Sequence, residues 1–181
     1  MKAREWGGPT LGENSRSSPF ENPDDIGPAT EARDTAPECR VRGVTLYTLP
    51  VIKEHRGSLI VAEFGKNLPF HAKRFFSVFE VPSDQARGQH AHKDLHQFLV
   101  CLRGECSVMV DDGSVRAEIT LNTPTLGVHI SPLVWATQHK FSSDALLFVA
   151  ASEIYDPSSY IRDYDKYLEL VRKGKASRIE D

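Results

Sequence analysis

A short polar stretch near the middle of the chain holds the residues best suited to chemistry. Arg87 and Gly88 come first, His90 and His92 follow two positions apart, and Gln97 opens the next apolar segment. Side chains two positions apart on a β-strand point to the same face, so the two histidines would project together. Paired imidazoles can bind a metal ion or pass a proton near neutral pH. The spacing therefore predicts a metal site or an acid–base site.

The metal alternative joins His90 and His92 to Gln97 and to one more histidine, His139 or His129. Glutamine is neutral and a poor ligand for a transition metal, so this set is weaker than one with a carboxylate. The residue types favour the acid–base alternative, and we predict no metal and no other cofactor.

In the acid–base alternative, a histidine takes a proton from the substrate and returns it, which suits a side chain with an ordinary pKa of about 6.5. Arg87 would hold an anion or polarise a carbonyl oxygen. Gln97 would orient a histidine or a substrate hydroxyl.

Composition places the chain among soluble proteins of one domain. It has 181 residues and a formal net charge of −3, which gives no indication of a nucleic acid or an anionic membrane as partner. No apolar segment reaches the length of a membrane span, and no secretory signal is visible, so a cytoplasmic protein is expected. Cys101 and Cys106 flank a turn where a disulfide is conceivable, but buried thiols are favoured.

The chain divides into a tail and one compact domain. Residues 1–40 are polar and rich in proline and lack a sustained period, so a disordered N-terminal tail is predicted. Residues 41–174 form the predicted domain, and residues 175–181 a frayed end. Tyrosine and aliphatic residues at spacings of three and four predict a helix over 159–174, ended by Gly174.

Within the domain, eight or nine short strands separated by turn residues are predicted. Such strands at intervals of about 8–12 residues are typical of an all-β sandwich or barrel. The segments are 44–47, 58–64, 75–81, 98–102, 106–110, 115–121, 126–130 and 145–150, in addition to the strand with the paired histidines.

Short motifs in this order carry a family resemblance over residues 42–170. The chain resembles the WxcM-like cupins, which are 3,4-ketoisomerases of dTDP-4-keto-6-deoxyglucose. The resemblance implies a cupin (double-stranded β-helix, or jelly-roll) barrel with a short C-terminal helix, a homodimer, no required metal, and a dTDP-linked sugar in the barrel mouth. The matching segments are 55–59, 69–70, 73–74, 87–93, 111–113, 132–135, 141–144, 151–153, 155–156 and 160–165, with Gln97, Cys101 and Gly104 as single matching residues.

The resemblance also implies roles for individual residues. His92 would be the principal base, with His90 and Arg87 beside it, in a reaction that moves the ketone from C4 to C3 through an enediol. The predicted substrate contacts are Arg56, Arg74, Ser77, Gln97 and His139.

Two departures from the family pattern leave alternatives open. Phe76 and Ser77 stand where the family usually carries two tyrosines, and Ala136 stands where it carries a histidine. These changes favour, as a second hypothesis, a diverged cupin that binds a nucleotide sugar without isomerising it. A metal-dependent cupin enzyme is the third.

Overall fold

The described residues form an all-β barrel followed by one α-helix. The computed structural model describes residues 38–66 and 68–176, so the predicted tail lies almost wholly outside the described residues, as does most of the predicted C-terminal end. The elements are β1 Val44–Thr48, β2 Val51–Glu54, β3 Gly57–Ile60, β4 Arg74–Phe79, β5 Arg87–His92, β6 Gln97–Arg103, β7 Cys106–Asp111, β8 Arg116–Leu121, β9 Leu126–Ile130, β10 Trp135–His139, β11 Leu146–Ala151, β12 Tyr160–Ile161 and α1 Tyr164–Ala176.

Two five-stranded antiparallel sheets face each other. The first sheet has the order β1-β9-β6-β11-β4 and the second the order β12-β5-β10-β7-β8, while β2 and β3 form a separate hairpin. Chain neighbours such as β6 and β7 lie in different sheets, which is the arrangement of a jelly roll. The predicted cupin-type fold is confirmed.

The core lies between the two sheets and follows from strand alternation. Alternating apolar residues of the strands are buried there, because every second side chain meets the opposite sheet. They include Val108, Val110, Leu121, Ile130, Leu147 and Val149. Burying an aliphatic side chain of this kind stabilises a fold by about 1.5–3 kcal/mol. Cys101 and Cys106 belong to this core as free thiols, which confirms the buried-thiol interpretation.

Part of the outer face of each sheet is also covered. Leu68 and Phe70 pack on the first sheet, and α1 packs on the second through Tyr167 and Val171. The hydroxyl of the fully buried Tyr167 donates to the carbonyl of Asp111 in β7. The helix thus covers the sheet that carries the paired histidines.

The predicted helix start was wrong. Residues 157–159 form a short 3-10 turn, and Tyr160 and Ile161 then pair with His92 and Ala91 as a strand. The helix begins only at Tyr164, after Asp163 accepts hydrogen bonds from the backbone at 165 and 166, the arrangement of an N-cap. It also continues past position 174 to Ala176. Tyr160 fits the helical spacing, but its pairing with β5 places it in a strand instead.

Besides β12, two further strands were not predicted, β2 and β10. The strand predicted over 58–64 is shorter and ends at Ile60. β10 lies in the middle of the second sheet. It lacks an apolar run, because its outward residues Trp135, Thr137 and His139 are polar or amphipathic and its inward residues include Gln138. None of the helices within the described residues is long and apolar enough to cross a membrane.

Candidate active site

A β-bulge in β5 sets which residues of the polar stretch share a face. His90 lies opposite Ala136 in β10, Gly88 opposite Thr137, and Arg87 opposite Gln138, so β5 has one extra residue at this point. Gly88 (φ +79°) and Gln89 (φ +56°) both adopt the left-handed region that makes this possible. In a regular strand, residues 87 and 90 would face opposite sides. The bulge turns both toward the interior.

The bulge opens onto a cavity of about 410 Å³ between the two sheets. Four predicted site residues border this cavity: Ser77, Arg87, His90 and Gln97. They come from β4, β5 and β6, which belong to different sheets. The remaining bordering residues are Phe76, Val78, Ala86, Gly88, Leu99, Gln138, Val149, Tyr160 and Arg162. We call this space the active-site cavity.

His90 borders this cavity and is hydrogen-bonded to His92, which is buried behind it and does not border the cavity itself. Nδ1 of His90 lies 2.9 Å from the carbonyl oxygen of Gly88, and the Nε2 atoms of the two rings are 3.1 Å apart. Because a carbonyl only accepts, His90 carries its proton on Nδ1, and its Nε2 accepts from Nε2–H of His92. Nδ1 of His92 is then an unprotonated nitrogen, and it is buried without a hydrogen-bond partner among the described residues.

Both imidazoles are held neutral. Burial, followed by the neighbouring His90, Arg74 and Arg162, lowers the pKa of His92 to about 3. Burial also lowers the pKa of His90, and the Arg162 charge acts in the same direction. A neutral pair can accept a proton, and an imidazolium formed here would release it readily.

Tyr160 and Arg162 were not predicted as site residues. The Tyr160 ring lies 4.8 Å from the His90 ring and 4.3 Å from the His92 ring, and the Arg162 guanidinium stacks 4.3 Å above Tyr160. Nη2 of Arg74 lies 3.5 Å from the Tyr160 hydroxyl. Both residues belong to a segment that carries the family resemblance, but the regular spacing of the tyrosines suggested a helix instead.

Arg87 and Arg162 border the active-site cavity, and Arg74 lies beside it against Phe76 and Tyr160. Arg74, Arg87 and Arg162 form no ion pair with a carboxylate within the part of the chain that the structure describes. Nε of Arg74 is also buried without a hydrogen-bond partner. Unpaired guanidinium groups beside a cavity are suited to binding an anionic ligand.

Arg56 is placed differently. It lies at the turn between β2 and β3, is exposed, and pairs with Glu54 at 2.6 Å. It does not border the active-site cavity. Its predicted contact with substrate stays a prediction.

His139 is also separated from the paired histidines. It lies on the outward face of β10 with Trp135 and Thr137, whereas Ala136 of the same strand lies in the core. The other proposed ligand, His129, projects from the outer face of the first sheet and is hydrogen-bonded to His96 at 2.9 Å. The structure therefore brings neither His139 nor His129 to the active-site cavity. Among the described residues, no cluster of three potential metal ligands is found.

The position of Phe76 shows the effect of one departure from the family pattern. Phe76 borders the cavity, and the Arg74 guanidinium lies 5.6 Å from its ring. Strand alternation places the Ser77 side chain on the face of Phe75, which stacks on Phe148 outside the barrel. The Ser77 hydroxyl therefore points away from the face that carries Phe76.

Acid is expected to destabilise the fold through its buried histidines. Burial, followed by the neighbouring His96, lowers the pKa of His129 to about 4. The unfolded chain, with an ordinary pKa of about 6.5, binds more protons in this window, so stability falls as the pH drops from about 6.5 to about 4. At pH 5 this amounts to about 2 kcal/mol from His129 alone. Urea unfolding at pH 7.5 and pH 5.0 should show a smaller pH effect in His129→Gln than in the unmodified protein. Equal pH effects would contradict the assignment.

The two facing sheets, with paired imidazoles and unpaired arginines at a cavity between them, define a barrel of the cupin class. The chain belongs to the FdtA (WxcM-like, C-terminal) family, whose model matches residues 42–172.

Characterised relatives share most of the barrel. The chain is 46% identical over 122 residues to TDP-4-oxo-6-deoxy-alpha-D-glucose-3,4-oxoisomerase of Aneurinibacillus thermoaerophilus, covering 67% of this chain and 88% of that protein. QdtA, a sugar 3,4-ketoisomerase from Thermoanaerobacterium thermosaccharolyticum solved with TDP, superposes with a TM-score of 0.71 at 37% identity, covering 73% of this chain and 96% of that one. The TDP-quinovose 3,4-ketoisomerase WlaRB from Campylobacter jejuni superposes with a TM-score of 0.69 at 38% identity. The match covers 71% of this chain and 99% of WlaRB.

Proposed function

We propose that this protein is a nucleotide-sugar 3,4-ketoisomerase that moves the ketone of a dTDP-4-keto-6-deoxyhexose from C4 to C3. The observation that carries the proposal is the neutral, hydrogen-bonded His90–His92 pair at a cavity flanked by unpaired arginines. Family membership and relatives named as isomerases of TDP-linked keto sugars support the same reaction and substrate class.

The reaction needs a base that removes the C3 proton and returns a proton at C4, while the hydroxyl proton of O3 passes to O4, so that a C3 ketone and a C4 hydroxyl result. His92 is the proposed base, because its Nδ1 has no competing hydrogen bond. The negative charge of the bound substrate and of the enediolate would raise the pKa of His92 while the proton is held. Protonation at C4 removes the charge of the enediolate, which would lower the pKa of His92 again. His92 is therefore left neutral when the product is formed. His90, fixed by the Gly88 carbonyl, holds the His92 ring in place.

The anionic parts of the substrate would be bound by the arginines. Arg87 lies next to the bulge and is proposed to stabilise the oxyanion, as a positioned cation can when charge develops in the transition state. Arg74 and Arg162, on either side of Tyr160, are proposed to bind the diphosphate. Gln97 borders the cavity from β6 and would bind a sugar hydroxyl.

The proposal is tested by incubation with dTDP-4-keto-6-deoxyglucose in heavy water, followed by NMR. We expect a 3-keto product with deuterium incorporated at C4, because the C3 proton exchanges on the base before it returns. Nucleotide-sugar binding by calorimetry without exchange or product would instead support the diverged binding protein. That outcome has a structural basis, since Phe76 replaces a hydroxyl donor at the cavity. Absence of both binding and turnover would contradict both hypotheses.

We further propose that the protein is a homodimer formed through β4. This strand is the edge of the first sheet, and Phe75 and Phe79 are 72% and 58% exposed on it. An exposed apolar edge strand is a ready surface for a second copy. Sedimentation should give a dimer that Phe79→Glu converts to a monomer, whereas Phe64→Glu, at a position that is 51% exposed elsewhere, should remain a dimer. A monomeric unmodified protein would contradict this proposal.

A cytoplasmic location is also proposed. The described chain holds three free cysteines, as is usual in a reducing compartment.

A further inference from the structure

A second cavity lies on the outer face of the second sheet, opposite the active-site cavity. Its volume is about 380 Å³, and its walls come from β5, β7, β8, β10 and the first turn of α1. The lining residues include Gln89, Arg116, Trp135, Thr137, His139 and Tyr164. None of them takes part in the proposed isomerase reaction. We call this space the outer cavity.

One wall of the outer cavity is aromatic. The rings of Trp135 and Tyr164 meet edge to face with their centroids 5.1 Å apart, and Met109 lies beside them. Large aromatic faces bind the apolar face of a small ligand, while a few placed polar groups fix its orientation.

Polar side chains without partners border the same cavity. Gln89, Thr137 and His139 make no side-chain hydrogen bond within the described residues. Nε2 of His139 is buried, and its nearest carboxylate oxygen, on Glu118, is 3.7 Å away. Leaving Nε2 of His139 buried and unpaired costs free energy. Gln89 is exposed and Thr137 half-buried, so the polar groups of these two side chains are accessible to a ligand as well as to water.

The charges at the outer cavity are already balanced. Arg116 donates to Asp111 through Nε and Nη2 at 3.0 and 2.8 Å, and the Tyr164 hydroxyl donates to the same carboxylate oxygen at 2.7 Å. Glu118 pairs with Lys140 at 2.6 Å. The charged side chains here are thus already paired and do not favour binding of an ion. In this respect the outer cavity differs from the active-site cavity, where the arginines are unpaired.

We infer that the outer cavity is a binding site for a neutral pyranose sugar. An apolar C–H face of the sugar ring packs on Trp135, and the hydroxyls on its edge bond to Gln89, Thr137 and His139. The ligand class follows from the combination of an aromatic wall, free hydrogen-bonding groups and neutralised charge. The inference does not depend on the isomerase activity.

The test uses the intrinsic fluorescence of Trp135. Trp6→Phe leaves Trp135 as the sole tryptophan of the chain, which has two. Titration with methyl α-D-glucopyranoside should give a saturable change with a Kd on the order of 1–10 mM. Thr137→Val and Gln89→Asn, each in the Trp6→Phe background, should weaken binding about fivefold, the loss expected for one neutral hydrogen bond.

Thr120→Val is the matched control. Thr120 is exposed on β8 of the same sheet and does not border the outer cavity, so this variant should bind like the parent. Thermal melting of each variant checks that the fold is retained. No saturable change up to about 100 mM, far above the expected Kd, would overturn the inference. So would binding that survives both cavity substitutions, or saturation by the nucleoside uridine without saturation by the pyranoside.

Discussion

Replacing His92 with asparagine is expected to lower kcat by about 10²–10⁴-fold, the range for loss of a positioned general base. Asparagine cannot act as a general base, and its amide is too short to reach the position of Nε2, so both the proton acceptor and the hydrogen bond to His90 are lost. Binding of the nucleotide should change little, because the arginines remain. Single-turnover NMR on the 4-keto sugar nucleotide measures the rate, and calorimetry measures the affinity.

His96→Asn is the control for this prediction. His96 is a partly buried histidine just before β6, burial lowers its pKa as well, and its ring bonds to His129 on the outer face of the first sheet. Its replacement should leave kcat within about twofold, as expected for a residue remote from the reaction. Equal losses in both variants would indicate a folding effect and would contradict the role given to His92.

Gly88→Ala is expected to have the second large effect. A Cβ at this position would lie 2.7 Å from Oε1 of Gln138 and 2.9 Å from the backbone oxygen of Ala136, and φ is +79°. The bulge must then shift or open, which moves Arg87 and His90 relative to each other. We expect a loss of about 2–4 kcal/mol of stability and, in the folded fraction, a kcat lower by about 10²-fold because of misplacement. Urea unfolding and the NMR assay measure the two effects.

Gly113→Ala is the control that distinguishes the effect of backbone strain from the effect of the steric clash at Gly88. Gly113 has the same φ of +79°, but its Cβ would meet only side-chain carbons, of Val171 and Leu168, at 3.2 Å and beyond. It should cost about 1 kcal/mol and leave kcat unchanged. A Gly88→Ala enzyme as active and stable as Gly113→Ala would show that the bulge does not position the site.

Local patterns in the chain were sufficient for the barrel and for the paired histidines. Alternation placed Val108 and Val110 in the core, and the spacing of His90 and His92 placed them on one face. These features depend on the two-residue period of a β-strand, which can be recognised from residues close together in the sequence. The family motifs added the substrate class.

Tertiary pairing decided the rest of the site. The bulge that turns Arg87 inward forms where β5 pairs with β10. β10 was not predicted as a strand, because its sequence mixes polar and apolar residues. Tyr160 joins the histidines because it pairs with His92 across the sheet edge. His139 lies outside because the alternation of β10 is fixed by Ala136 in the core. Each of these placements depends on contacts between residues distant in the chain, which local spacing does not encode.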